Sequence, residues 1–274
     1  MKKNLVTHQN LVKDFRNIGV IPGRILMLHA SVRSVGWIIG GPDTIIRALL
    51  DVLGPEGTLM MYVAWEEFPD DWWEWTEDER DAYLRECPPF DPGRSHAYRK
   101  WSILTEYLRT WRGACRSGNP DASVAAVGKP AQWLTENHPL NYGYGPGSPL
   151  DKLVQTGGQV LLLGSPLQDI TLLHYSEHIA DVPGKHIFRY KVPLLVGGKK
   201  EIVDVEEFDT RRPIGDWEGD DYFGIIAREY LQSGNGKTGK VGAAMSYLFD
   251  AAMLHEFAVA WLERRLGGKS GSLR

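Results

Sequence analysis

The chain has 274 residues, of which 43% are hydrophobic and 24% are charged, and its formal net charge is -4 at pH 7. These values are typical of a globular protein and exclude a disordered, collagenous or fibrous chain. The net negative charge disfavours a dedicated nucleic-acid binder, because such a protein must neutralise phosphates. With only two cysteines, Cys87 and Cys115, a disulfide framework is also excluded.

The N-terminus carries no sign of export. Its opening stretch, MKKNLVTHQNLVKDF, lacks the apolar core of a signal peptide. Along the chain, no apolar run approaches the roughly 20 residues that a transmembrane helix needs. We therefore expect a cytoplasmic protein with no membrane or nucleic-acid partner.

Helices and strands alternate along the first part of the chain. Apolar spacing predicts a helix over 7–18, a buried strand over 25–29, a helix over 43–53 with Asp43 as its N-cap, and a strand over 58–64. This alternation is typical of an α/β layer, since consecutive parallel strands need a crossover helix. We predict one α/β domain over residues 1–266 with a largely parallel central sheet.

The later elements follow from the same patterns. Helices are predicted over 101–111, 130–136, 148–155, 170–180, 222–231 and 252–266, strands over 123–128 and 159–164, and a β-hairpin over 187–208 that turns at Gly197-Gly198. The stretch 140–149 has the composition of a loop. The polar residues 267–274 are expected to form a mobile tail.

An acidic, tryptophan-rich insert over 66–96 interrupts the alternation. Eleven carboxylates lie between residues 66 and 91 against only Arg80 and Arg85, while Trp65, Trp72, Trp73 and Trp75 are interleaved with them. Such a charge run fits either a solvated surface loop or a surface that binds a polycation. We favour the second interpretation, because carboxylates attract ammonium groups and tryptophan faces offer cation–π contact and a platform for sugar rings.

The best catalytic candidate is the segment after the strand over 159–164. On a helix, Thr171, His174, Glu177 and His178 fall on one face, just beyond the carboxyl end of a parallel strand, where open α/β sheets place their sites. The same residues fit the zinc pattern H-x-x-E-H, for which Glu206, Glu207 or Asp209 could supply a third ligand. The zinc hydrolase is therefore kept as an alternative.

Two turns are candidates for binding an anion. HASVRSVG over 29–36 follows the first buried strand directly, and Ser31, Ser34 and Arg33 offer hydroxyls and a guanidinium for phosphate. RSGNP over 116–120 is a second basic turn with a hydroxyl. Neither a Walker motif nor GxGxxG is present, so a nucleoside triphosphate or a Rossmann dinucleotide is not indicated. His29, at the end of the strand, fits a satisfied core histidine.

Seven segments together resemble the aminoglycoside 3-N-acetyltransferase family, and the resemblance runs from about residue 8 to residue 266. They are HASVRSVG (29–36), PPFDP (88–92), RSGNPDASVAAVG (116–128), GSP (147–149), LLLGSPLQDITLLHYSE (161–177), EEFDT (206–210) and LFDA (248–251). The resemblance, which is greatest to the gentamicin-modifying branch, implies acetyl transfer from acetyl-CoA to the 3-amino group of the 2-deoxystreptamine ring. It also implies an α/β/α fold distinct from that of the GNAT acetyltransferases.

The resemblance assigns roles to individual residues. It implies that His174 is the general base, that Thr171 and Glu177 flank it, and that Asp209 orients His174 or holds the aminoglycoside. It places Ser31, Val32 and Arg33 at the CoA phosphates. To these we add Arg116 and Ser117 as expected cofactor contacts, and expected substrate contacts at Tyr62, Trp65, Glu66, Asp91, Asp121 and Glu207.

The resulting hypothesis is direct attack of the drug amine on the thioester, without a metal, in a protein that could be a homodimer. The chain departs from the family pattern at Asn119, where a histidine is usual, at His178, where a small residue is usual, and over 211–223. Two further alternatives stay open. One is a related acyltransferase that acts on another amine, and the other is a non-catalytic protein that sequesters cationic drugs.

Overall fold

The computed structural model describes residues 5–69, 71–210, 212, 214 and 221–267. The strands of this part of the chain are β1 (Leu5–Val6), β2 (Ile25–Ala30), β3 (Trp37–Ile38), β4 (Thr58–Tyr62), β5 (Cys115–Arg116), β6 (Val124–Gly128), β7 (Gln159–Leu163), β8 (Ile187–Val196), β9 (Lys199–Phe208), β10 (Lys237–Val241) and β11 (Ala244–Asp250). Its helices are α1 (His8–Ile18), α2 (Val32–Val35), α3 (Asp43–Leu53), α4 (Glu77–Glu86), α5 (Ile103–Arg109), α6 (Ala131–Thr135), α7 (Pro149–Gln155), α8 (Leu172–Ile179), α9 (Tyr222–Gln232) and α10 (Ala251–Leu266). Short 3₁₀ turns lie at Trp72–Glu74 and Leu167–Asp169.

A seven-stranded sheet with the order β10-β11-β7-β2-β4-β6-β5 forms the centre of the fold. The α/β class is confirmed, but the expected parallel arrangement holds only for β7, β2 and β4. The other four strands of this sheet pair antiparallel with their neighbours. On one side the reason is local, because β10 and β11 are joined by a tight turn at Gly242 and such a hairpin must be antiparallel.

Helices cover both faces of this sheet. The central strands are buried along nearly their whole length, which explains their continuous apolar sequences. Alternate side chains point to opposite faces, so Leu26, Leu59 and Leu161 join one core with α1, α3 and α5, while Met27, Met60 and Leu162 join another with α7 to α10. The α/β/α layering implied by the family resemblance is therefore present.

The hairpin β8–β9 forms a separate two-stranded sheet, paired in register from Ile187 with Phe208 to Val196 with Lys199. It turns at the predicted glycines. The acidic insert packs on this hairpin, and Trp65, Trp72 and Phe90 share a small core with its residues. The insert is therefore anchored by its aromatic side chains.

Several boundaries differ from the predictions. Asp43 is the first residue of α3 and pairs with Arg47 at 2.8 Å, whereas Pro42 holds the capping position, so the predicted Asp43 N-cap is wrong. Helix α4 was not predicted because none of its residues is buried, and it therefore shows no apolar period. It begins with a capping box between Thr76 and Glu79.

Some predictions fall on residues outside the described part of the chain. These include Asp70 of the insert, most of the divergent stretch 211–223, and the expected tail beyond Gly267. In the described part, none of the helices combines the length and the apolar character required to cross a bilayer.

Candidate active site

A cavity of about 690 Å³ opens at the carboxyl ends of β2 and β4. His29 and Ala30 from β2 and Tyr62 from β4 contribute to its lining. Thr171 and His174 border it from the start of α8. Ligand sites of open α/β sheets lie at this edge, because the loops after parallel strands meet there.

His174 is the end of a hydrogen-bonded chain that reaches this cavity. Its Nδ1 lies 2.8 Å from Oε2 of Glu177, three residues later on the same helix. The other oxygen of Glu177 accepts a hydrogen bond from the hydroxyl of Tyr222 on α9. The Glu177 side chain is only 8% exposed, while that of His174 is 22% exposed. The carboxylate is thus enclosed and the imidazole still reaches the cavity.

This arrangement fixes the orientation of the imidazole. The Glu177 carboxylate accepts a hydrogen bond from Nδ1–H, which leaves the Nε2 lone pair of a neutral His174 available to take a proton. The ring is further held between Tyr144, at 5.1 Å between centroids, and Phe223, at 4.8 Å. Such a chain can remove a proton from a bound substrate and stabilise the imidazolium that results.

His178 lies one turn further along α8 but has different partners. Its Nδ1 lies 2.8 Å from the carbonyl oxygen of His174, and its Nε2 lies 2.8 Å from Oε1 of Glu207 on β9. Both ring nitrogens are therefore engaged within the protein. The ring nitrogens of His178 are not free for a zinc ion, and no group of three His, Cys, Asp or Glu residues in the described chain is arranged to hold a metal. The zinc-hydrolase alternative has no support in this geometry.

Carboxylates give one part of the cavity wall a negative charge. They come from four different places in the chain, namely Asp121, Asp169, Glu207 and Asp209. Burial, followed by the charge of Asp221, raises the pKa of Asp169. Asp209 lies 3.5 Å from the guanidinium Nε of Arg212. A wall of this kind attracts a ligand with several ammonium groups.

Aromatic rings form another part of the wall. Trp101 stacks on Tyr62 with 4.8 Å between centroids, and its side chain is among the exposed large apolar groups. Trp73 contacts Phe188 edge to face at 5.8 Å, and both rings line the cavity together with Phe68. These faces suit a sugar ring or a cation.

The acidic insert contributes to the cavity through Phe68 and Trp73, whereas its described carboxylates do not line it. Glu67, Asp71, Glu74, Glu77, Asp78, Glu79, Asp81 and Glu86 are all exposed to solvent. The interpretation of these acids as a polycation-binding surface is therefore not supported. They fit the other interpretation, a solvated surface.

Three predicted substrate contacts in or beside the insert belong to its internal structure. Trp65 is 2% exposed and packs against Phe90. Glu66 is paired with Arg99, whose Nε donates at 3.0 Å, and Asp91 accepts from the backbone N–H of Gly93 at 2.8 Å. Trp65, Glu66 and Asp91 are absent from the cavity lining, whereas the predicted contacts Tyr62, Asp121 and Glu207 are part of it.

The first anion-binding turn lies beside the cavity. Ser31 follows the lining residue Ala30 and caps α2 through backbone geometry, with its Oγ 2.9 Å from that of Ser34. Val32 is half-buried and Arg33 is exposed to solvent. The turn can therefore offer hydroxyl and guanidinium donors at the mouth of the site.

The second turn does not fit its predicted role. Arg116 donates to the carbonyl oxygens of Ser95 at 2.5 Å and Ala64 at 2.6 Å, and burial lowers its pKa to about 9. Ser117 is fully buried and bonded to Val124 N–H and to His138. The prediction that Arg116 and Ser117 contact CoA is therefore corrected. Both are structural residues, because their hydrogen-bonding groups are bonded to other parts of the protein.

Asn119, which departs from the family pattern, is also a structural residue. Its amide nitrogen donates to the carbonyl oxygens of Pro139 and Leu140, at 2.9 and 3.1 Å. Its side-chain oxygen accepts from the backbone N–H groups of Asp121 and Ala122. All its hydrogen-bonding capacity is thus used to fold the loop that carries Asp121.

The sequence reasoning missed several members of the site, including Tyr144, Asp169, Tyr222, Lys100 and Trp101. Asp169 lies in the loop between β7 and α8. An acidic residue just before a candidate catalytic helix could have been predicted as a site residue from the sequence. Tyr222 comes from α9, and only the packing of two helices brings it to Glu177. His29 is not a satisfied core residue, since its buried Nε2 has no partner in the described chain, and burial lowers its pKa to about 4.

Comparisons with known proteins place the chain in one enzyme family. The family model of aminoglycoside 3-N-acetyltransferase matches residues 27–263. Aminoglycoside N(3)-acetyltransferase III of Pseudomonas aeruginosa is 49% identical over 261 residues, which are 95% of both chains. Aminoglycoside N(3)-acetyltransferase VII of Streptomyces paromomycinus is 42% identical over 272 residues, covering 97% of this chain and 94% of that one.

Solved structures show the same fold. That of AAC-IIIb in a binary complex with CoASH has a TM-score of 0.90 and 46% identity, covering 97% of this chain and 100% of that one. That of AAC-VIa bound to sisomicin has a TM-score of 0.89 and 34% identity, covering 96% and 99%. The predicted family and enzyme class are thereby confirmed. This chain belongs to the aminoglycoside 3-N-acetyltransferase family.

Proposed function

We propose that this enzyme transfers acetyl from acetyl-CoA to the 3-amino group of the 2-deoxystreptamine ring by direct attack, with His174 as general base. The observation that carries the proposal is the chain of His174, Glu177 and Tyr222 at the edge of an acidic, aromatic cavity. AAC-IIIb binds CoASH and AAC-VIa binds sisomicin, which supports the same two ligands here.

The base is needed because an ammonium group has no lone pair with which to attack. Nε2 of His174 takes one proton from the 3-ammonium, and the amine nitrogen attacks the thioester carbonyl carbon. The carbon–sulfur bond then breaks, and the second proton that the nitrogen loses on becoming an amide passes to the departing thiolate, so that CoA leaves as the thiol. The imidazolium of His174 returns its proton to solvent. The carboxylate of Glu177 stabilises the positive charge that forms on the imidazole, and the hydroxyl of Tyr222 holds that carboxylate in place. The hydroxyl of Thr171, which makes no described hydrogen bond and borders the cavity, is placed to stabilise the oxyanion.

Drug binding is assigned to the cavity wall. Asp121, Asp169 and Asp209 supply the negative charge for the other ammonium groups, and Trp101 and Trp73 supply flat faces for sugar rings. Ser31, Val32 and Arg33 are assigned to the phosphates of CoA, because they offer donors beside the cavity and follow a parallel strand.

The test is thiol release from acetyl-CoA with gentamicin, sisomicin, kanamycin, neomycin and apramycin, each compared with a control without drug. We expect drug-dependent release, with one acetyl group on the 3-amine by mass spectrometry and NMR. Release with acetyl on another amine would contradict the assigned position. Acetyl-CoA binding without release from any drug would favour an acyltransferase for another amine.

Two further results would contradict the proposal. Drug binding without any dependence on CoA would favour a protein that sequesters cationic drugs. Acetyl found covalently attached to the enzyme before drug is added, and then passed to the drug, would replace direct attack by an acyl-enzyme route.

A further inference from the structure

His178 and Glu207 form an enclosed pair at the cavity, and Glu207 is the member that belongs to its lining. Their side chains are 2% and 5% exposed, and Nε2 of His178 lies 2.8 Å from Oε1 of Glu207. The imidazole ring packs against Phe208 at 4.6 Å between centroids, with Tyr142 and Tyr144 each at 6.4 Å. Water is therefore excluded from the contact between the two polar groups.

The hydrogen bonds define where the protons lie. Nδ1 of His178 faces the carbonyl oxygen of His174, which can only accept, so Nδ1 carries a proton. Glu207 receives two backbone donors besides His178, from Gly143 N–H at 2.5 Å and from Phe208 N–H at 2.8 Å. Donors directed at a carboxyl group favour its ionised form, so the proton of the shared contact resides on Nε2.

The pair also joins three segments of the site. Through His178 it holds α8, one turn after His174, and through Glu207 it holds the end of β9 just before Asp209. The loop from Tyr142 to Gly145 completes the contact, since a Cβ at Gly145 would meet the ring of His178 at 2.9 Å. Lys185 also lies at this point, since its Nζ donates to the backbone carbonyl of His178 at 3.0 Å and lies over the ring of Phe208.

We propose that His178 and Glu207 act as an imidazolium–carboxylate clamp that positions the cavity wall and cancels the charge of Glu207. Glu207 is then a positioning residue, and the drug ammonium groups are left to Asp121, Asp169 and Asp209. This inference deepens the proposed function, on which its substrate assignment rests. It replaces the expectation that Glu207 is a direct substrate contact.

The protonation state is tested without any turnover. In the wild-type enzyme labelled with ¹⁵N-histidine, the resonance of His178 is assigned by its loss in H178Q. We expect both ring nitrogens of His178 to be protonated at neutral pH, and only one in Glu207→Gln. A single protonated nitrogen in the wild type would overturn the clamp.

Melting temperatures provide a double-mutant cycle that also needs no activity. Replacing His178 by alanine leaves a buried carboxylate without its counter-charge, whereas the same change in the E207Q background does not. We therefore expect H178A to lower the melting temperature more in the wild-type background than in E207Q. Equal losses in both backgrounds would contradict the pairing. These two measurements stand even if the enzyme shows no acetyl transfer to an aminoglycoside.

Kinetics then separate positioning from direct drug binding. With gentamicin as the probe, we expect E207Q to change KM by less than about threefold and to lower kcat, because the wall beside His174 shifts. The matched control is Asp169→Asn, for which we expect a rise in KM of about tenfold from the loss of one charged contact. A tenfold rise in KM with unchanged kcat in E207Q would show that Glu207 binds the drug directly.

Discussion

Helix α8 and the acidic insert over 66–96 border the same cavity but use their charges differently. On α8, Glu177 is enclosed, and each of its oxygens is bonded to a named partner. In the insert, Glu77, Asp78 and Glu79 are exposed at the start of α4, where they interact favourably with the helix dipole. The comparison teaches that a charged side chain takes part in recognition or chemistry where packing fixes its position. A dense run of charges in the sequence does not by itself indicate such a role.

The aromatic residues of the insert show the same contrast at closer range. Trp72 is 6% exposed and packs against the tilted rings of Trp75 and Tyr83, whereas Trp73 is 37% exposed and lines the cavity. We expect Trp72→Ala to lower the free energy of unfolding by about 4 kcal/mol, because it leaves a cavity in the small core. Urea denaturation measures this loss.

Trp73→Ala is the matched variant. We expect it to cost less than about 1 kcal/mol of stability, as for other partly exposed sites, and to raise KM for gentamicin severalfold. A stability loss in W73A equal to that in W72A would contradict the division between anchor and cavity wall.

On α8, the comparison is sharpened by Glu177→Gln. Glutamine still accepts a hydrogen bond from His174 but cannot stabilise an imidazolium by charge, so we expect kcat to fall about a hundredfold. Tyr222→Phe removes one donor to the same carboxylate, and its effect on kcat should be smaller. If E177Q turns over at the wild-type rate, the buried carboxylate has no part in catalysis.

As the pH falls, we expect the stabilising contribution of residues near the site to be lost before that of residues in the insert. Burial lowers the pKa of His138 from 6.5 to about 4, so between these values the unfolded chain binds more protons than the folded one. Above pH 6.5, His138 therefore does not reduce the free energy of unfolding. As the pH falls from 6.5 toward 4, protonation of this residue in the unfolded chain lowers the free energy of unfolding by up to about 3 kcal/mol. His29 acts in the same direction, with a pKa of about 4.

The stabilising contribution of the insert is lost over a lower pH range. A hydrogen bond from Arg99 lowers the pKa of Glu66, so its contribution is lost only as the pH falls below the usual range of a glutamate. Urea denaturation of the wild type and of His138→Gln at pH 7 and pH 4.5 tests the contribution of His138. We expect a smaller acid-induced loss in H138Q, and an equal loss in both proteins would contradict the assignment to His138.

The smallest effects are expected at the exposed acids. Glu77→Gln and Asp78→Asn should change KM for gentamicin by less than twofold, because charges in solvent interact weakly with a ligand that they do not contact. Asp121→Asn, the matched change on the cavity wall, should raise KM about tenfold. A comparable rise in the insert variants would restore the insert as the drug-binding surface.

The sequence predicted the elements whose pattern is set locally. The hairpin at Gly197-Gly198 and the shared helical face of His174 and Glu177 follow from turn chemistry and from a period of 3.6 residues. The partners of these residues come from distant parts of the chain, such as Tyr222 at Glu177 and Glu207 at His178. Spacing along the sequence carries no signal for such contacts.

The same limit explains the corrected predictions. Arg116 and Trp65 have the chemistry of a phosphate contact and a sugar platform, but both are enclosed by the insert and its neighbours. Burial of this kind depends on which segments pack together. The residue type therefore indicated a function that the tertiary structure does not allow.

The most direct test of the account is acetyl transfer by His174→Ala, measured as thiol release from acetyl-CoA with saturating gentamicin. Calorimetry of each ligand shows whether binding is retained, and His8→Ala, a change of a partly exposed histidine on α1, serves as control. We predict a loss in kcat of about a thousandfold in H174A, with dissociation constants within threefold of the wild type. An unchanged kcat would contradict the assignment of His174 as the base.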